Sequence, residues 1–557
     1  MKKIIYAFAC LTGLITLASC SKETIDGEPV QYTDAKIIYG QSVNILEAVN
    51  RLYVYAPDGH NRLGGGSMVA SATDEAVHAV RGSEAERWGT GLWGTTATTL
   101  RDDDFARTYE GIRATHVYEE EIHNNIIDAV MSQTDRNYLF GQALFIRALL
   151  NFELLKRYGG YPIVKRALKV GDDMNIPKSS YDECVKYISD LCDEAQGLLR
   201  VSYPAAGDFG RATKGSAMAL KARLLLYAAS PLNNPNNDIA KWQAAAAAAD
   251  AVIKSNQYSL YTAGSGYDAF FNTLANNKEI IFSKIETNNN TLERLNGPVS
   301  VTDGQGGTNP SLNLVNAYER IDGTPFDWNN ATHAANPFAN RDPRFAKSIL
   351  FNGATWMVGG STPVIETFEG GEDKVGTRAT RTGFYLRKFL SINARWNAPT
   401  GVANHSFPIL RYAEVLLNYA EAMNEAVGPD NPGTFGMTAR QAITMIRTRA
   451  GLTANQSVPA ANDQAKMRAA IRHERRIELA FEEHRHLDLR RWKIAETVLN
   501  QPVQGLKIVR SGTSPNFTYT YTPEVVEQRV FQPKMYLYPF PQTEISRNSS
   551  LIQNTGW

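Results

Sequence analysis

The chain has 557 residues, of which 43% are hydrophobic and 21% are charged, so it is long enough to bury a large core. Its 58 lysine and arginine residues nearly balance 57 aspartate and glutamate residues, and the net charge is +1. Because proteins that bind nucleic acid or other polyanions concentrate positive charge, this balance argues against such a partner.

The first twenty residues have the features of an export signal. Lys2 and Lys3 precede an apolar run, residues 4–17, that is too short and wrongly flanked for a membrane span. The run ends in LASC, which resembles a bacterial lipobox. We predict that residues 1–19 are a lipoprotein signal peptide and that Cys20 carries several acyl chains, which would anchor the protein stably to a membrane. The alternative is an ordinary signal peptide in which this cysteine has no role.

A polar, acidic segment follows the lipobox. Residues 20–32 show no apolar periodicity and predict a flexible tether ahead of a domain that spans residues 33–557. The tether begins SKETIDGE, which resembles the acidic signal of surface-exposed lipoproteins in Bacteroidetes. Cleavage would remove Lys2 and Lys3 but no acid, so 56 basic residues would face 57 acidic ones and the mature net charge would be −1.

The stretch ERWGTGLWG (86–94) has the G-x-G-x-x-G spacing of a phosphate-binding loop. A dinucleotide loop needs a strand before its first glycine and a helix after its last. The sequence upstream is polar and helix-like, and three aspartates at 102–104 would repel a pyrophosphate. We interpret the spacing as chance, with glycines that let the backbone turn around Trp88 and Trp93.

Helical patterns dominate both ends of the domain. Residues 136–162 are apolar nearly all round and end in Gly-Gly-Tyr-Pro, which predicts a buried helix with a glycine stop. Cys184 and Cys192 share one helical segment, about 12 Å apart along its axis, and this exceeds disulfide reach, so we expect two buried free thiols. Paired helices with short turns suggest tetratricopeptide-like hairpins without a strict 34-residue repeat. The other predicted helical runs are 214–232, 239–261, 409–426, 439–451 and 462–500.

Residues 262–408 have a different composition. They are rich in glycine, asparagine, proline and threonine and contain only short apolar runs such as EIIFSKIE. The fold class expected is therefore mainly α, with a long irregular insert that also holds short strands. Long irregular segments on a rigid scaffold are often functional.

The segment HERRIELAFEEHRHLDLRRW (473–492) is rich in histidine and glutamate but lacks the H-E-x-x-H zinc motif. Treated as one continuous helix, it places Glu474, Glu478, Arg485 and Asp488 on the same arc as its apolar residues. Since buried charges must be paired, we predict a structural salt-bridge network that reaches Arg447 or Arg449 in the preceding helix. The catalytic alternative would need a cleft and a perturbed acid. The same continuous-helix wheel predicts that Glu483 is exposed to solvent.

Several segments together resemble the SusD/RagB family, in the family's order and over most of the mature chain. They are FGQALFIRALLNFELLKRYGGYPIV, NRDPRF (340–345), ILRYAEVLLNYAEAMNEA, RTRAG, ERRIELAFEEHRHLDLRRW and the C-terminal YPFPQTEISRNSSLIQNTGW. The resemblance implies a lipid-anchored protein on the outer face of the outer membrane. It also implies that the protein caps a SusC-like TonB-dependent transporter and captures nutrients, usually glycans.

Tryptophan indoles stack on sugar rings, so the eight tryptophans are candidate glycan contacts. Trp242 and Trp492 fall in predicted helices and Trp557 in the terminal motif, so we expect structural roles for these three. Trp356 has apolar neighbours and is expected to anchor its own segment. We predict that Trp88 or Trp93, with Arg87 or Asp103, forms one side of a sugar site and that Trp328, in DGTPFDWNN, forms another. The remaining indole, Trp396, also lies in an irregular stretch.

The sequence is also compatible with three other functions. The family includes relatives thought to take up peptides or other nutrients. A glycoside hydrolase needs two carboxylates across a cleft, and plentiful carboxylates do not decide this. A pure assembly scaffold is a third class, since helical hairpins commonly bind proteins. The sequence has no G-x-S-x-G elbow, P-loop, Cys/His zinc spacing or EF-hand loop, so we predict no enzyme activity, cofactor or metal site.

Overall fold

The computed structural model describes residues 40–557 except 96–101, 103, 204, 263–269, 274–276, 302, 357–361, 395–401 and 453–462. The predicted signal peptide (1–19), lipidated Cys20 and tether (20–32) lie outside the described residues. So do Asp103 and Trp396.

The protein is mainly helical, as the sequence predicts, and the described part of the chain contains seventeen α-helices. In chain order they are α1 (Ser42–Leu52), α2 (Glu84–Gly89), α3 (Phe105–Ile122), α4 (Gln133–Tyr158), α5 (Tyr181–Leu198), α6 (Lys214–Ala229), α7 (Ile239–Lys254), α8 (Thr291–Asn296), α9 (Leu312–Ala317), α10 (Ala331–Ala335), α11 (Pro343–Ser348), α12 (Tyr412–Val427), α13 (Ala439–Arg449), α14 (Gln464–Glu478), α15 (Arg485–Arg491), α16 (Ala495–Val498) and α17 (Gln542–Arg547).

The strands form two-stranded antiparallel ribbons rather than one large sheet. In chain order the strands are β1 (Ala76–His78), β2 (Ile280–Asn289), β3 (Thr308–Pro310), β4 (Ile349–Leu350), β5 (Tyr385–Leu386), β6 (Ala403–Arg411), β7 (Val503–Thr513) and β8 (Asn516–Glu527). The pairs are β1 with β3, β2 with β6, β4 with β5 and β7 with β8.

The long helices stack as successive hairpins, which confirms the tetratricopeptide-like architecture. Each helix from α3 to α6 packs on the next one in the chain, α12 packs on α7, and α13 and α14 pack on α12. Local signals define the ends of these helices. The Ser132 side chain caps the start of α4, and Gly159, with a positive φ of 71°, ends it as predicted. Ser180 and Glu183 form a capping box at the start of α5.

Helix α4 is the central core element. It is long and apolar enough to cross a membrane, but 94% of its most apolar stretch is buried inside the protein, as expected of a core helix. Cys184 and Cys192 on α5 are both buried and free, which confirms the prediction for the two thiols. Burial raises the pKa of the Cys184 thiol to about 11, so both the geometry and the acidity of this cysteine favour a structural role.

The secondary structure differs from the sequence-based prediction in residues 262–411 and towards the C-terminus. Helices α8 to α11, between residues 262 and 408, are only five or six residues long, and β2 and β6 form the main ribbon there. Residues 409–411, predicted as helical, complete β6. The run 462–500 is divided into α14, α15 and α16. The β7–β8 hairpin was not predicted.

Candidate functional site

The four charged residues predicted to pair are all engaged in ion pairs. Glu478 is fully buried and bonds Arg344 (2.9 Å) and Arg411 (2.8 Å), as well as Arg449. Burial alone would raise the pKa of Glu478, but the three guanidinium groups hold it well below its usual range. Glu474 accepts from Arg344 (2.5 Å) and Arg447 (3.0 Å). We call this group the core charge network: Glu279, Arg344, Lys388, Arg411, Arg447, Arg449, Glu474, Glu478 and Glu482.

Arg485 and Asp488 pair with other partners, because the segment is not one helix. Arg485 bonds Asp74 through two hydrogen bonds, at 2.9 and 2.8 Å, and Asp488 accepts from Arg475 (2.7 Å) and Arg491 (2.8 Å). Helix α14 ends at Glu478, and the chain then turns through positive φ angles at Phe481 (64°) and Glu483 (62°).

The prediction that Glu483 is exposed is wrong. This turn directs its carboxylate inward, where it accepts a hydrogen bond from the Val69 amide at 3.0 Å. Burial and the neighbouring Asp102 carboxylate raise the pKa of Glu483 well above its usual range. The continuous-helix wheel failed here because it cannot represent a left-handed turn.

The acids and histidines of this region surround a cavity of about 50 Å³, which has room for only a water molecule or two. Its lining includes Asp102, Glu482, Glu483, His484 and His486. Burial lowers the pKa of His486 well below its usual range. A sugar ring cannot enter this volume, so the perturbed groups fit a buried polar core rather than a glycosidase cleft.

The structure contradicts the prediction that Trp88 or Trp93 offers a face to a sugar. Trp88 is 4% exposed and lies on α2, and Trp93 is 7% exposed. Trp93 packs against Tyr538 (centroids 5.3 Å apart) and Trp557 (4.8 Å). The C-terminal segment therefore covers this pair, which local sequence around residues 86–94 could not reveal.

The remaining features of that segment are also structural. Arg87 is half-buried and donates to the Gly82 carbonyl at 2.8 Å. A Cβ at Gly89 would come within 1.7 Å of the Arg529 guanidinium, so this glycine is needed for close packing. Gly91 has a φ of 77°, which supports the interpretation of the glycines as turn residues.

Trp328 has a different environment. It is half-buried, its indole N–H donates to Asn316 at 3.1 Å, and its ring meets Phe326 edge to face with centroids 5.0 Å apart. Asp327, Asn329 and Asn330 beside it are exposed. We call residues 321–336 the Trp328 loop. It brings together an aromatic group and short polar side chains at the surface, the combination that sugar sites use.

The other described tryptophans have structural roles, as predicted. Trp242, Trp356 and Trp492 are buried. Trp557 is half-buried, and its N–H donates to the Lys534 and Leu537 carbonyls, each at 3.0 Å.

A second surface site is an open cleft beside α1, which we call the Arg211 cleft. Two cavities of about 350 and 390 Å³ meet at Arg211. Tyr138 and Tyr203 line the larger one, with the Arg200 guanidinium 4.2 Å from the Tyr138 ring centroid. The hydroxyl of Tyr203 is shielded from solvent and has no hydrogen-bond partner among the described residues. The cleft is large enough for a sugar unit, but the Arg200 guanidinium lies over both tyrosine rings, 5.9 Å from the Tyr203 ring centroid.

One cluster has the composition of a cation site. Potential ligand atoms of Asp58, His60 and Glu286 all lie within 4.8 Å of one another. Burial and a hydrogen bond to Glu286 raise the pKa of Asp58 to about 8, and burial lowers the pKa of His60 to about 3.

Most of the chain is similar to known proteins. A family model described as "SusD family" matches residues 278–557, half of the chain, and one described as "Starch-binding associating with outer membrane" matches residues 43–226. Two curated relatives from Formosa agariphila, SusD-like protein P25 and SusD-like protein P38, are 24% and 27% identical over 70% and 67% of this chain, and the matches cover 70% and 69% of their own lengths.

Solved structures show the same likeness. A SusD-like protein from Bacteroides fragilis is 29% identical, with a TM-score of 0.78 over 94% of this chain and 99% of that chain. A SusD-like carbohydrate binding protein, also from Bacteroides fragilis, is 25% identical, with a TM-score of 0.76 over 92% of this chain and 100% of that chain. The family model, the relatives and the shared helical architecture agree: the chain belongs to the SusD family.

Proposed function

We propose that this protein captures an oligosaccharide or polysaccharide at the cell surface and passes it to a SusC-like TonB-dependent transporter in the outer membrane. The observation that carries the proposal is the likeness, over 92% of this chain, to a SusD-like protein described as carbohydrate binding. The matched model for starch-binding proteins associated with the outer membrane supports the same function and location.

The Trp328 loop is the proposed contact surface for the glycan. A sugar ring presents an apolar C–H face, which an aromatic ring can cover, and hydroxyl groups, which need polar partners. Trp328 supplies the aromatic ring, while Asp327, Asn329 and Asn330 are exposed beside it. The backbone amide and the side-chain amide of Asn329 both donate to the Asp327 carboxylate, at 2.9 and 3.1 Å. These hydrogen bonds order the turn in the absence of a ligand.

The anchor and the transporter complete the proposal. Lipidation at Cys20 would hold the protein at the outer membrane, and the tether 20–32 would leave the domain free to move over a transporter. A glycan bound at the surface would then be close to the transport channel, which raises its effective concentration there.

Binding can be tested by screening the purified protein against glycan arrays and titrating a hit calorimetrically. We expect Trp328→Ala to weaken binding about tenfold to a hundredfold, corresponding to about 1–3 kcal/mol, because a stacking surface is lost. The matched control is Trp557→Ala, which removes a half-buried indole already engaged with the backbone, and should leave affinity unchanged. If Trp328→Ala binds the glycan with normal affinity and Tyr203→Phe binds it more weakly, the glycan site is the Arg211 cleft and not the Trp328 loop. Selective binding of peptides would replace carbohydrate as the ligand class.

The anchor and partner require separate measurements. Cys20→Ala should release the protein from the membrane fraction and abolish incorporation of labelled palmitate. Affinity purification from detergent-solubilised outer membranes should recover a large β-barrel protein with the wild type. Membrane-bound, palmitate-labelled Cys20→Ala would refute the lipidation site, and substrate turnover by the purified chain would favour the enzyme alternative.

A further inference from the structure

Asp58, His60 and Glu286 come together from distant parts of the chain. Asp58 and His60 lie in the turn that follows α1, and Glu286 lies on β2, more than 220 residues later. A carboxylate oxygen from each acid and one imidazole nitrogen lie within 4.8 Å of one another. Asp58 and Glu286 are both half-buried. Two acids this close in a partly buried place need a proton or a cation between them.

His60 provides the independent observation. Its side chain is 4% exposed, yet neither ring nitrogen has a hydrogen-bond partner within the described parts of the chain. The His60 imidazole packs edge to face against Phe389 and Phe407, with ring centroids 5.0 and 5.2 Å apart. Buried polar atoms are nearly always satisfied, so an imidazole fixed by aromatic rings next to two carboxylates indicates a missing partner.

The surroundings resemble the outer shell of a metal site. The Asn289 amide donates to Glu286 at 3.3 Å, and the Asp58 carboxylate accepts from the His60 backbone amide at 2.9 Å. His405 lies directly opposite Glu286 in the β2–β6 ribbon and pairs with Glu293 at 2.8 Å. Such hydrogen bonds fix the orientation of ligating carboxylates.

We propose that Asp58, His60 and Glu286 bind a divalent transition-metal cation of the zinc type. Zinc accepts imidazole nitrogen and carboxylate oxygen at about 2.0–2.2 Å, often from three protein side chains with water in the fourth position. Those bond lengths separate the ligand atoms by roughly 3.4 Å in a tetrahedron, so atoms that now lie as far as 4.8 Å apart have to approach by up to about 1.4 Å. Calcium fits less well because it prefers six to eight oxygen ligands.

A cation here would fasten the turn after α1 to the β2–β6 ribbon. At present the Lys284 ammonium makes part of that connection by donating to the Tyr53 carbonyl at 2.9 Å. The metal would add a link between the same two segments and satisfy His60. This inference does not depend on the proposed carbohydrate function, because no residue of the Trp328 loop takes part.

The test is a titration of the chelator-treated full-length protein, purified in detergent, with Zn²⁺ and separately with Ca²⁺. We expect one equivalent of Zn²⁺ per chain by calorimetry and mass spectrometry, with a rise in melting temperature. Failure of the wild type to take up Zn²⁺, or tighter binding of Ca²⁺ than of Zn²⁺, would overturn the proposal.

Two variants assign the binding to this cluster. Glu286→Gln keeps the shape of the side chain, and His60→Ala removes the imidazole. Each should weaken Zn²⁺ binding about 100-fold or more, since even loss of an outer-shell partner costs 10–100-fold. The control is Glu47→Gln, an exposed carboxylate on α1, which should bind as the wild type does. Unchanged Zn²⁺ affinity in a folded Glu286→Gln variant, checked by circular dichroism, would show that the metal binds elsewhere and refute this site.

Discussion

The core charge network and the Trp328 loop use polar side chains in opposite ways. In the network, Arg344, Arg411 and Glu478 are at most 1% exposed, and each forms an ion pair with a residue of opposite charge. In the loop, Asp327, Asn329 and Asn330 are exposed, and their bonds are mainly local. Polar groups whose bonding capacity is used inside the core cannot recognise a ligand, whereas exposed groups around a half-buried indole can.

The strongest way to test this contrast is Glu478→Ala. Removing the carboxylate leaves three guanidinium groups with an uncompensated buried charge, so we expect a loss of about 3–5 kcal/mol in the free energy of unfolding. Chemical denaturation would measure it. Glu110→Ala, an exposed glutamate on α3, is the control and should change stability by less than about 0.5 kcal/mol. Equal denaturation midpoints for the two variants would contradict the burial of Glu478.

Trp93→Ala tests whether a buried tryptophan contributes to stability and not to glycan binding, in contrast to the half-buried Trp328. The substitution leaves a cavity beside Tyr538 and Trp557, and we expect it to cost about 3 kcal/mol, at the lower end of the range for a buried tryptophan. Affinity for a glycan should not change while the protein stays folded. Trp328→Ala should show the reverse pattern, with weakened binding and a nearly unchanged melting temperature. If a folded Trp93→Ala variant binds the glycan more weakly than the wild type, Trp93 is part of the sugar site.

Glu421 is one of the buried carboxyl groups that make stability depend on pH. Burial raises the pKa of this carboxyl, but the Arg491 guanidinium, through bonds of 2.6 and 2.8 Å, lowers it to about 2. Because the folded pKa lies below the unfolded value of 4.5, the stabilisation is complete above pH 4.5 and is lost as the pH falls through 2. At pH 7 we expect the free energy of unfolding of the wild type to exceed that of Glu421→Gln by about 3 kcal/mol, since one pKa unit corresponds to about 1.4 kcal/mol.

The same gap between wild type and Glu421→Gln should narrow between pH 5 and pH 2, which denaturation at several pH values would measure. Glu544→Gln is the comparison, because its ion pair with Arg547 is 3.5 Å long and both side chains are solvent-accessible. A gap that is constant with pH would refute the contribution of the Glu421 charge.

The smallest expected effect concerns the Trp328 loop itself. The Asn330 side chain accepts from the Thr332 and His333 amides and caps α10. Asn330→Ala should weaken this cap by about 1 kcal/mol. Hydrogen exchange should accelerate at residues 331–335, while the global melting temperature stays within a degree or two. A cooperative loss of global stability would show that the loop and the core are energetically coupled.

The helical hairpins were predictable because their signals are local. Residues 136–162 carry an apolar pattern and a glycine stop, and α4 begins and ends within a few residues of that prediction. The β7–β8 hairpin was not predicted, although Thr518, Thr520 and Thr522 alternate with the aromatic residues of the same strand, a period-two signal. The motif NRDPRF contained a further signal, since its Arg344 is central to the core charge network.

The candidate site was less predictable than the fold. Trp328 is at the surface as expected, but Trp88 and Trp93 are covered by Tyr538 and Trp557, more than 440 residues further along the chain. A glycine-rich neighbourhood indicates a turn and does not indicate what packs on the turn. The cluster of Asp58, His60 and Glu286 has no spacing motif for the same reason, since its members meet only through the pairing of distant segments.

By itself, the sequence determined where the long helices lie, that the cysteines of α5 stay apart, and that the charges on the apolar arc of residues 473–492 need partners. These follow from helix geometry and from the cost of burying an unpaired charge. Only the tertiary structure decided which partners they meet: Arg344 and Arg411 for Glu478, Asp74 for Arg485, and the C-terminal aromatic residues for Trp93. Hydrogen-bond periodicity acts over four residues, whereas ion pairs and packing depend on the path of the whole chain.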